Sequence, residues 1–95
     1  MFKSTIDYKN EKFLITNEPV MILAMDVLQV LNKIGKLTII GKGELCPTTV
    51  SVANIITQNM LKGNSKTEEI SVGSEASDDG RLISTIEIVI TKISS

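Results

Sequence analysis

With 95 residues and only 3% aromatic residues, the chain has room for one two-layer domain around a core of Ile, Val, Leu and Met, and base-stacking on aromatic platforms is excluded as its main recognition mode. It has no His and a single Cys, which leaves no zinc cluster and no internal disulfide and argues against a conventional hydrolase or metalloenzyme, so neither cofactor nor metal is expected. Ten Lys and Arg face eleven Asp and Glu, so any attraction for a polyanion must come from cations clustered on one face.

Residues 1–10 lack sustained periodicity and read as a flexible N-terminal arm, leaving 11–95 as the single domain. Glu11 to Thr16 is short and apolar toward its end, which suits an edge strand. Asn17-Glu18-Pro19 then starts a helix, with Asn17 or Glu18 as cap and Pro19 in the first turn. Val20, Leu23, Ala24, Val27, Leu28, Leu31 and Ile34 follow at three- and four-residue spacing and form one apolar stripe. Gly35 ends that helix. The longest apolar run, Val20 to Met25, is far shorter than a membrane span. No membrane partner is expected, and the chain reads as cytoplasmic, at the nucleoid if prokaryotic.

Leu37 to Ile40 is a near-continuous aliphatic run, as in a strand covered on both faces. It leads through Gly41-Lys42-Gly43 into a second helix from about Pro47 or Thr48 to Leu61. There Val50, Ala53, Ile56 or Thr57, and Met60 are expected toward the core, with Val52 and Ile55 either off that stripe, as a partner surface, or on its flanks. Two glycines permit backbone angles closed to other residues and close approach to a partner, and Pro47 suits a first helical turn. The helix start offers unpaired N–H groups to an anion, with Lys42 as the only cation in the turn. Thr67 to Glu75 and Leu82 to Ile93 alternate apolar and polar residues as strands, joined by an acidic turn over Ala76 to Gly80. The fold class is therefore α/β (α+β), strand, helix, strand, helix, strand, strand. Both helices lie on one face, and the long last strand lies inside the sheet, antiparallel between the second and third.

Several of these stretches together resemble one family. Pro19-Val20-Met21, the Ile40-Gly41-Lys42-Gly43 turn before a helix carrying Val50 to Met60, Val72-Gly73-Ser74, and Asp79-Gly80-Arg81 followed by Ser84-Thr85-Ile86-Glu87-Ile88 are similar to the Alba family of small DNA- and RNA-binding proteins, over about residues 11 to 93. The resemblance implies a βαβαββ two-layer fold like the C-terminal domain of translation initiation factor 3, with sheet order 1-2-4-3. It also implies a homodimer, or a heterodimer with a paralogue, that lays its hairpin arms along nucleic acid. Asn17 and Glu18 stand where the family commonly has two lysines. Lys42 keeps the first of two basic positions around the glycine, Glu44 replaces the second, and Thr48 stands where a lysine is often found.

The candidate nucleic-acid contacts are Lys42, Gly43, Arg81, Thr48, Asn17 and Lys36. Lys42 is the first candidate for a phosphate, against a solvated turn lysine. Arg81 either reaches a groove or phosphate from the hairpin or pairs with Asp78 or Asp79. Asn17 and Thr48 suit helix capping as well as a phosphate hydrogen bond. Cys46 reads as a small buried hydrophobe, since no His accompanies it. The expected function is sequence-nonspecific DNA or RNA backbone binding as a dimer, without catalysis, in a chromatin or RNA context. The alternative is an acidic subunit that dimerises with a basic paralogue or joins an RNA-processing complex.

Overall fold

A computed structural model describes residues 6–93. Two helices pack on one face of a five-stranded sheet ordered β1-β2-β3-β5-β4. The strands are β1 (Ile6–Asp7), β2 (Lys12–Leu14), β3 (Lys36–Lys42), β4 (Ser65–Ala76) and β5 (Leu82–Lys92), and the helices are α1 (Val20–Ile34) and α2 (Cys46–Ile55). β2 runs parallel to β3, whereas β5 lies antiparallel between β3 and β4. The four longer strands keep the expected order 1-2-4-3. β1 is an addition to it. Ile6 and Asp7 pair with Phe13 and Lys12, so β2 is covered where an edge strand was expected. Tyr8 to Asn10 form the turn between β1 and β2, and residues 1–5 of the expected N-terminal arm lie outside the described residues.

Alternation along the strands shows which face is covered. In β3, Leu37, Ile39 and Gly41 are buried while Thr38 and Ile40 are only half-buried. Each buried residue sits opposite one of β5: Leu37 with Ile90, Ile39 with Ile88, Gly41 with Ile86. The strand is therefore covered on one face, not on both as expected. Both helices pack on a single side, so Ile40 stays on the open face.

On α1 the core side is Leu23, Ala24, Val27, Val30 and Leu31. The stripe is the expected one with Val30 added and Leu28 at its margin. Gly35 closes the helix at a φ of 83°, a left-handed angle that glycine takes without a Cβ clash, and its N–H donates to the Leu31 carbonyl at 2.8 Å. The start differs from expectation. Pro19 itself is the cap residue, no side chain caps the helix, and the Pro19 carbonyl accepts from the Leu23 N–H. The extended backbone of Pro19 turns the chain into the helix without help from Asn17, which is left exposed.

The second helix keeps Ala53 and Ile56 of its expected stripe, but Val50 gives way to Thr49 and Val52. Thr49, Val52, Ala53 and Ile56 are buried, and Val50 is exposed. A polar residue on the core side is tolerated because the Thr49 hydroxyl donates to the Leu45 carbonyl at 2.8 Å within its own helix turn. α2 then widens into a π-helical turn over Ile56–Met60, closed by the Leu61 N–H donating to the Ile56 carbonyl at 2.7 Å. Among the described residues no helix is long and apolar enough to cross a membrane.

Candidate functional site

The bend between β3 and α2 is built on a close approach. A Cβ placed on Gly41 would lie 1.8 Å from the Thr49 Oγ1 and 2.9 Å from the Leu45 carbonyl oxygen. Gly41 therefore acts as the seat for the first turn of α2, and it belongs to β3 rather than to a turn. Gly43 is the residue that needs a left-handed angle, at a φ of 57°. From Gly43 to Leu45 a 3-10 turn runs directly into α2, and the Cys46 N–H donates to the Gly43 carbonyl. Donors expected at Pro47 or Thr48 are thus drawn back to the 3-10 turn, and Thr48, the third residue of α2, is not a cap. Cys46 is half-buried, its Sγ 3.7 Å from the carbonyls of Gly41 and Ser84, in keeping with a small packed side chain.

Four of the expected site residues come together. Asn17, Lys42, Gly43 and Thr48 line one open groove with Glu44 and Ile83. Arg81 lies in an adjoining groove that shares Gly43 and Glu44 and also carries Asp78 and Asp79. Lys36 is placed apart. It opens β3 while Lys42 closes it, a separation of about 20 Å along an extended strand.

Each candidate cation is paired. Lys42 Nζ is 3.1 Å from Glu75 Oε2, Arg81 Nε is 3.2 Å from Asp79 Oδ2, and Lys36 Nζ is 3.6 Å from Glu68 Oε1. All are solvent-accessible pairs of small individual worth. At the bend, Lys42 and Arg81 stand among Glu44, Glu75, Asp78 and Asp79. Glu75 is the partner that sequence reasoning missed. It lies 33 residues from Lys42, and only the register of the hairpin brings it near.

At the hairpin tip, the Ser77 hydroxyl and the Arg81 backbone N–H both donate to Asp79 Oδ1. These bonds, the Ser77 hydroxyl first, hold the Asp79 carboxyl below its ordinary value of 3.8. Because the folded value is depressed, the tip gains from this carboxylate above pH 3.8 and loses the gain as pH falls through the lower folded value. In an NMR titration, the Gly80 and Arg81 amide signals are expected to move together at a pH below that of a free aspartate. Asp79→Asn should remove the step.

A second surface departs from the expected core. Ile70 and Val72 of β4 sit opposite Ile88 and Ile86 of β5, and so share the helix-side face, yet they are exposed, with Val72 at 77%. Leu82, beside the hairpin tip, is also 77% exposed, and Val50 of α2 is exposed on the same side of the sheet. The hairpin outruns the helices, leaving an apolar strip uncovered. The Ile70 and Val72 alternation was visible in the sequence, but alternation cannot report how far the covering layer extends.

This two-layer arrangement is the Alba fold. It is similar to Alba from Thermoplasma volcanium, with a TM-score of 0.75 and 25% identity over 85% of this chain and 99% of that one. ALBA1 from Trypanosoma brucei superposes with a TM-score of 0.72 and 15% identity, over 88% of this chain and 70% of that one. No protein-family model and no curated protein matches the sequence.

Proposed function

We propose that the chain is a nucleic-acid-binding protein that works as a dimer and holds the phosphate backbone with little sequence preference, in a chromatin or RNA context in the cytoplasm, at the nucleoid if prokaryotic. The observation that carries this reading is the groove in which Asn17, Lys42, Gly43 and Thr48 converge on an Alba fold. Lys42 supplies charge, Asn17 and Thr48 supply hydrogen bonds, and the small Gly43 lets the backbone approach a phosphate. Arg81 adds a second cation from the hairpin, and Lys36 extends the surface at the far end of β3. The exposed Val50, Ile70, Val72 and Leu82 supply an apolar contact for a second protomer. The reading is one of binding rather than catalysis, since a chain without His and with one Cys lacks the usual nucleophile–base pair.

Salt decides it. With Lys42 and Arg81 each engaging a phosphate, the log–log dependence of affinity on salt for duplex DNA should have a slope of roughly −2 per chain. Fluorescence anisotropy with a labelled duplex and a labelled RNA measures it. Absence of binding by the isolated chain even at low ionic strength removes this reading.

One observation favours a second reading. Four carboxylates surround the two cations of the bend, a balance suited to an acidic subunit that pairs with a basic paralogue or an RNA-processing complex. Affinity that emerges only in a mixed dimer would select it.

A further inference from the structure

The ion pairs of the candidate site follow a pattern. Lys36 and Lys42 of β3 both reach across the intervening β5 to carboxylates of β4, Glu68 and Glu75. At the bend the register aligns Lys42 with Thr85, and Thr85 with Gly73. Gly73 carries no side chain, and a Cβ there would meet only Thr85 Oγ1 at an ordinary 3.6 Å. Packing therefore does not demand a glycine, but its absence of bulk keeps the lane between Lys42 and β4 open. Glu75 stands two residues nearer the tip, opposite Ile83, where its carboxylate meets the ammonium. Both side chains are about half exposed, at 46% and 49%, so the pair is exchangeable rather than locked.

We propose that Glu75 is a built-in competitor for phosphate at Lys42, an autoinhibitory contact through which the hairpin sets the affinity of the bend for a polyanion. The inference rests on the phosphate-binding reading above. A phosphate oxygen arriving at Lys42 must take the place of the Glu75 carboxylate, and it must then tolerate that carboxylate a few ångströms away. Both effects oppose binding, and both vanish when the carboxylate becomes an amide.

The test is anisotropy with a short labelled duplex DNA and a short labelled RNA at about 0.1 M salt, where charges beyond roughly 10 Å are screened. Glu75→Gln is expected to bind about fivefold to tenfold more tightly than wild type. Its salt slope should stay near the wild-type value of roughly −2 per chain, because the same two phosphates are engaged and only the cost of displacing the carboxylate is removed. In Lys42→Gln/Glu75→Gln the gain should disappear. Glu69→Gln makes the same charge change on the same strand, where Glu69 forms no ion pair among the described residues and only accepts from the Ser71 hydroxyl. It should leave affinity within about twofold, being roughly 20 Å along the strand from Glu75. If wild type binds and Glu75→Gln binds no better, or Glu69→Gln gains as much, the competitor is refuted and the phosphate reading stands. If neither wild type nor Glu75→Gln binds either probe, the phosphate reading falls and takes this inference with it.

Discussion

Replacing Gly41 with alanine is expected to cost about 3 kcal/mol of stability or more, at the upper end of what overpacking a core usually costs. The new methyl would lie 1.8 Å from the Thr49 hydroxyl oxygen, 2.8 Å from its Cβ and 2.9 Å from the Leu45 carbonyl oxygen. Rotating the threonine relieves the first contact only. The other two involve a Cβ and a backbone oxygen, so the start of α2 must move off β3. A domain of this size has about 5–15 kcal/mol in total, and the loss corresponds to a fall in Tm of roughly 12 °C or more. Thermal unfolding followed by circular dichroism measures it. Gly43→Ala is the comparison: its left-handed φ of 57° costs about 1–2 kcal/mol, and its Cβ would meet Ile83 at a comfortable 3.6 Å. Should the two variants prove equally mild, the seat formed by Gly41 is not what fixes α2.

The second large effect is expected in self-association. Val72→Asp combined with Leu82→Asp puts two carboxylates into the uncovered strip, where both native side chains are 77% exposed in the single chain. Full burial of each in a dimer is worth about 1.5–3 kcal/mol. The double variant should therefore raise the dimer Kd at least a hundredfold, taking about 1.4 kcal/mol per tenfold. Neither residue belongs to the buried core, so the monomer should keep its secondary structure. Sedimentation velocity across a concentration series separates the outcomes. A wild-type chain that sediments as a monomer at every concentration would leave the strip to a different partner and strengthen the acidic-subunit reading.

Local signals carried much of this architecture. The apolar spacing of Leu23, Val27 and Leu31 and the terminating Gly35 specify α1, because spacing and a left-handed stop are properties of neighbouring residues. The length and apolar alternation of Leu82 to Lys92 placed β5 inside the sheet. Tertiary contacts decided what was hidden. β1 is two residues long and exists through its register with Phe13 and Lys12, helped by the Asn10 side chain bonding to Asp7. In α2, Val50 and Val52 are equally apolar, so periodicity could not choose between them. The choice was made by Gly41, whose bare Cα admits Thr49 and so rotates Val52 inward and Val50 out. At the candidate site the sequence singled out Lys42, whereas Glu75 is brought within reach of it across β5 by the hairpin register, which no local pattern encodes.

β4 borders the sheet along 12 residues and is exposed from Lys66 to Ala76. A free border of that length is a template on which other chains can add, strand upon strand, into insoluble assemblies. Lys66, Glu68, Glu69 and Glu75 punctuate it with charge, and they act as gatekeepers against such growth. The charges along β4 thus serve colloidal stability. A variant stripped of all of them is expected to precipitate at concentrations where the wild type stays in solution.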